Sequence, residues 1–216
     1  MIVLSHRGYW KVPEEKNTAI AFRRSFDLGF GTETDVRDLS GELVISHDPP
    51  TGGELRFSEF LDLLNGRDLP LALNIKSDGL AVPIRDELVK RSLSKWFVFD
   101  MSVPDTLQHL KIGNPVYLRR SEFEFDNSLT DRSDGIWLDA FEGEWWSPDL
   151  VHDYLLRGKK VCIVSSELHG RDPNTLWNTL KSSNLWKYDQ VLLCTDRPEQ
   201  ALSHFTGGAY DSRSRI

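Results

Sequence analysis

The chain has 216 residues, 39% hydrophobic and 27% charged, which is enough for one full core and short for two. Its formal net charge of −7 argues against broad binding to nucleic acid or an anionic membrane, and it obliges an anionic substrate to find local positive charge. No apolar run approaches a membrane span, and Cys162 and Cys194 lie in apolar strand-like runs without metal-ligand spacing. They read as buried thiols of a cytoplasmic protein.

Along the chain, short apolar runs alternate with helix-like segments. Strands are predicted at 2–5, 31–36, 71–76, 96–100, 115–119, 135–139, 160–165 and 190–194. Between the first two, 18–28 places Ala19, Phe22 and Phe26 on one helical face and ends at Gly29. Segment 148–157 opens with Ser147 as N-cap and Pro148 as first helical residue, and closes at Gly158. Segment 173–185 carries Leu176, Trp177 and Leu180 inward, and 198–205 starts at Pro198. The polar stretch 119–134 is the weakest unit. Eight strand–helix repeats predict a compact α/β protein, a (β/α)8 TIM barrel in one domain at 1–206 with a flexible tail at 207–216. A doubly wound open sheet is the alternative.

In a barrel, chemistry collects where strands end and loops follow. Those positions hold His6 and Arg7, Glu33 and Asp35, Asn74 and Lys76, Asp100, Arg119, Asp139, Glu167 with His169, and Asp196. Glu33 and Asp35 are one residue apart and face the same side of a strand that a barrel would enclose. Two unpaired carboxylates there repel, so they point to a hard cation, Mg²⁺ or Ca²⁺, or else to ion pairs with Arg7 or Lys76. His6 and His47, each beside a charged residue, are a candidate acid/base pair, with Asp48 placed to fix one tautomer of His47 or to cap the following turn. Lys76 shares a strand face with Asn74 and needs an anion, a phosphate or the carboxylate pair; Arg119 is a phosphate contact or a surface ion pair.

The set His6-Arg7-Gly8, Asn17-Thr18, Glu33-Thr34-Asp35-Val36, His47-Asp48 and Asn74-Ile75-Lys76 resembles the glycerophosphodiester phosphodiesterase family over about the first eighty residues. Thr195-Asp196-Arg197-Pro198 is also similar. The resemblance implies a (β/α)8 barrel that hydrolyses a small-molecule phosphodiester with a divalent metal. By position, His6 and His47 would be the acid/base pair, Arg7 would contact phosphate, Glu33 and Asp35 would ligate the metal, and Lys76 would neutralise charge near the phosphate. The chain departs from the family's pattern twice: Lys16 precedes Asn17-Thr18 where the family has Glu, and Asn74 replaces a metal-ligating Glu. A neutral Asn carbonyl binds a cation more weakly, and Glu167, Asp139 or a phosphate oxygen would then complete the shell.

Three functions fit these residues. The first is a metal-assisted phosphodiesterase acting by hydrolysis or through a cyclic phosphate. The second is a phosphodiester-binding barrel that has lost turnover with its third carboxylate. The third is a metal-dependent isomerase or aldolase on the same fold, with Lys76 as the strand-end lysine.

Overall fold

A computed structural model describes residues 1–207; the tail expected at 207–216 lies, beyond Gly207, outside the described residues. The strands are β1 (Ile2–His6), β2 (Gly31–Leu39), β3 (Glu42–Ile45), β4 (Leu71–Ile75), β5 (Trp96–Phe99), β6 (Tyr117–Arg120), β7 (Gly135–Leu138), β8 (Lys160–Val164) and β9 (Val191–Thr195). The helices are α1 (Ala19–Asp27), α2 (Phe57–Asp62), α3 (Ala81–Lys90), α4 (Val103–Lys111), α5 (Pro148–Leu156), α6 (Asn174–Ser182) and α7 (Pro198–Thr206). Leaving β3 aside, every strand leads into an α-helix except β6, which leads into the 3-10 turn at Thr130–Arg132. This is the repeat of a compact (β/α)8 TIM barrel, as the strand–helix alternation predicts.

The chain forms two compact units. One is His6–Val116; the other joins Met1–Ser5 to the described residues from Tyr117 onward. In the first, β4 pairs in parallel with both β2 and β5. Phe22 and Phe26 on α1 and Phe57 and Phe60 on α2 are fully buried, and the Phe22 and Phe60 rings meet edge to face at 4.6 Å. Each such ring removed from water contributes roughly 1.5–3 kcal/mol. In the second unit, β1, β9, β8, β7 and β6 pair in parallel in that order. Ile136, Leu138, Val161, Ile163 and Leu193 form a core with Tyr154, Trp177 and Phe205 from α5, α6 and α7. Leu176, Trp177 and Leu180 are buried as expected, and Cys162 and Cys194 are buried thiols outside any disulfide.

One strand was not predicted. β2 runs to Leu39, not to residue 36, and its end turns back through Ser40-Gly41 into β3, antiparallel to it, with Leu39 opposite Glu42 and Val36 opposite Ile45. Ser40 and Gly41 both have positive φ, 52° and 87°, which a two-residue hairpin with a type I′ turn requires.

Candidate active site

β2 is polar but buried: Thr32, Glu33, Thr34 and Asp35 are all shielded from solvent. Such a strand is stable only if its side chains find partners. Thr32 Oγ1 accepts from the Gly8 amide at 3.0 Å, and Thr34 Oγ1 donates to Asn17 Oδ1 at 2.9 Å. The loop after β1 therefore rests on β2. Arg7, at φ 58°, donates its amide to the Glu33 carbonyl and to Glu33 Oε2, at 3.0 and 3.2 Å. Gly8, at φ 81°, presses against α1 so closely that a Cβ would lie 2.8 Å from that of Ala21.

Asp35 is the hub. Its Oδ2 meets Arg7 Nε at 3.0 Å and accepts from Asn17 Nδ2 at 2.9 Å. Its Oδ1 accepts no hydrogen bond, and Lys76 Nζ stands 3.6 Å away, turned also toward Asp100 Oδ2 at 3.3 Å. The ion pairs weighed against a metal are thus present, from both Arg7 and Lys76. Glu33 is buried with His6 Nε2 at 3.9 Å, and burial foremost, then the Asp35 charge, pushes its carboxyl up to about 7. Arg7, Asn17 and Asp100 are three of the seven non-glycine residues with positive φ among the described residues, so left-handed backbone is concentrated around this cluster.

His47 arrives by the hairpin. The Ser46 amide donates to the Asp35 carbonyl at 3.1 Å, so β3 brings the chain back beside Asp35, and His47 is the next residue. Its Nδ1 lies 2.9 Å from Asp48 Oδ1, and Arg37 Nε donates to its carbonyl. The imidazole is half exposed, in contrast to the largely buried His6.

Among the described residues, no three His, Cys, Asp or Glu side chains gather as a metal site. The oxygen donors nevertheless fit a hard cation. Asn74 is the register partner of Asp35 on β4, and Asn74 Oδ1, like Asp35 Oδ1, is buried without a hydrogen-bond donor. Unsatisfied buried acceptors on two register partners, near a carboxyl whose ionised form is disfavoured, are what a divalent ion would relieve.

The remaining candidates lie in the other unit. Glu167 accepts from the Ser165 and Thr195 hydroxyls and, at 3.1 Å, from the Asp196 amide, so both its oxygens are engaged. Arg119 pairs with Glu124 at 2.6 Å, the surface ion-pair option. Asp139, buried, holds His169 Nε2 at 2.7 Å and accepts from the Ala140 amide. Sequence reasoning gave no role to Asn17 and no partner to Asp100; Asn17 sits in the quoted Asn17-Thr18 motif, but nothing in spacing alone says that its amide reaches Asp35.

No family model matches this chain, and no curated protein matches it in sequence. Solved structures do match its fold. A glycerophosphodiester phosphodiesterase from Parabacteroides distasonis aligns with a TM-score of 0.73 at 16% identity, over 95% of this chain and 97% of that one. Another, from Agrobacterium tumefaciens, gives 0.71 at 16% identity over 96% of this chain and 100% of that one. A phosphodiesterase from Oleispira antarctica, solved with the product sn-glycerol-3-phosphate, gives 0.64 at 15% identity over 95% and 97% of the respective chains. The chain has the (β/α)8 fold of the glycerophosphodiester phosphodiesterases.

Proposed function

We propose that this protein is a phosphoric diester hydrolase acting on a glycerophosphodiester-like small molecule with Mg²⁺ or Ca²⁺. The observation that carries the reading is the placement of two fixed cations, Arg7 and Lys76, on the buried Asp35, with Glu33 and His6 in the same cluster. A diester anion needs such charge at strand ends in a protein of net charge −7. Glu33, Asp35 and Asn74 would hold the metal, which when bound supplies a Lewis acid for the phosphoryl oxygens.

Arg7 and Lys76 bind the non-bridging oxygens and stabilise the charge that develops on them. His6 and His47 move the protons. One removes a proton from the attacking hydroxyl, of water or of the substrate itself, as its oxygen bonds to phosphorus; the other returns a proton to the departing alkoxide as the second P–O bond breaks. The Lys76 ammonium is engaged with Asp35 and Asp100, which suits charge neutralisation better than the Schiff base that an aldolase needs.

Asn74 favours a second reading, a barrel that binds phosphodiesters without turning them over. Product release from glycerophosphodiesters separates the two. His6→Ala and His47→Ala should each lower turnover by ~10²–10⁴-fold. Undiminished turnover in both variants overturns the proton-transfer assignment; a wild-type protein that binds diesters and releases nothing supports the binding barrel.

A further inference from the structure

The two oxygens of Asp35 are unlike each other. Oδ2 accepts from Asn17 Nδ2 at 2.9 Å and stands 3.0 Å from Arg7 Nε as an ion pair, whereas Oδ1 accepts no hydrogen bond and has Lys76 Nζ at 3.6 Å. A carboxylate free to turn would give both oxygens to the Arg7 guanidinium, the geometry that fork favours. Asn17 prevents that turn. Its side chain is fixed at the other end by Thr34, whose hydroxyl donates to Asn17 Oδ1 at 2.9 Å, and its backbone amide donates to the Arg7 carbonyl at 2.9 Å. The backbone of Asn17 is left-handed at φ 59°, a conformation that asparagine tolerates better than most residues. One side chain therefore links Asp35, the next-door Thr34 and the Arg7 loop.

We infer that Asn17 is a positioning residue that selects the oxygen Asp35 presents to a divalent cation, keeping Oδ1 without a hydrogen bond, with Asn74 the register partner of Asp35 on β4. The inference rests on the metal reading above. Outer partners of this kind change metal affinity without touching the ion.

The test is calorimetric titration of chelator-stripped protein with Mg²⁺ and with Ca²⁺, with thermal unfolding of each stripped variant alongside. Asn17→Gly keeps the left-handed backbone and removes the amide, and Asn17→Asp keeps the shape but sets an oxygen against Asp35. Both should bind the metal ~10–100-fold more weakly than wild type. Thr34→Val, which removes only the donor to Asn17, should weaken binding in the same direction by less. Wild-type affinity in Asn17→Gly overturns the inference while leaving the metal centre in place. A loss of affinity in Asn17→Gly that Asn17→Asp and Thr34→Val do not share also overturns it, since only loop order would then be at stake. Absence of any binding to the wild-type protein brings down the metal reading itself, and the inference with it, by a distinguishable result.

Discussion

Asp35 and Asn74 face each other in register across β2 and β4, and each ends in a buried oxygen that no donor satisfies. With asparagine at the second position, this pair carries one carboxylate charge instead of two. The consequences can be measured.

Asn74→Glu should tighten Mg²⁺ or Ca²⁺ binding about tenfold or more, because affinity of oxygen sites follows the count of charged ligands. The metal-free variant should also melt lower than wild type, since a third carboxylate joins Glu33 and Asp35 in a buried place. Titration and unfolding in chelator read the two effects; unchanged affinity would remove Asn74 from the cation site.

Glu33 gives a pH dependence with a definite sign. Its carboxyl is raised from 4.5 to about 7 by burial and by Asp35, so between those values the folded chain holds a proton that the unfolded chain has lost. Stability of the metal-free protein should fall as pH rises through that window, and Glu33→Gln should abolish that part of the slope. Metal affinity should rise over the same window, as the competing proton leaves. A flat profile of unfolding against pH in chelator contradicts this account.

Lys76→Met should raise KM for a phosphodiester about tenfold or more, the loss of one charge-assisted contact. It should also leave Asp100 and Asp35 Oδ1 facing each other without the ammonium between them. Steady-state kinetics with a glycerophosphodiester decide this, and an unchanged KM would assign Lys76 to the scaffold alone.

Gly8→Ala should destabilise the fold by about 2–5 kcal/mol, from a left-handed alanine and a forced contact. The added Cβ would sit 2.8 Å from Ala21 Cβ and 2.9 Å from the Ala21 carbonyl carbon, both on a rigid helix. Denaturant unfolding measures it.

Much of this was legible in the residues. Parallel strands buried on both faces are continuous apolar runs, as in Leu71-Ala72-Leu73 and Val161-Cys162-Ile163-Val164, and each stops where a polar residue begins. The clustering of His6, Arg7, Glu33, Asp35 and Lys76 followed from those endpoints. The β3 hairpin did not. Arg37-Asp38-Leu39 and Glu42-Leu43 alternate too weakly to read as strands, and the one local signal was the Ser40-Gly41 dipeptide. α2, α3 and α4 were not located individually either, although Ser102 accepts from the Asp105 amide as an N-cap should. The Asn17 clamp depends on a left-handed backbone and on a partner eighteen residues away, and neither leaves a periodic trace.

The hairpin separates scaffold from tool. His6 is the last residue of a repeating strand, whereas His47 rides on an added arm that belongs to no strand–helix unit. The tip of the arm, Ser40-Gly41, can therefore change length or sequence while β2 keeps Glu33 and Asp35 where they are. Remodelling that tip would alter the surroundings of His47 without moving the carboxylates of β2.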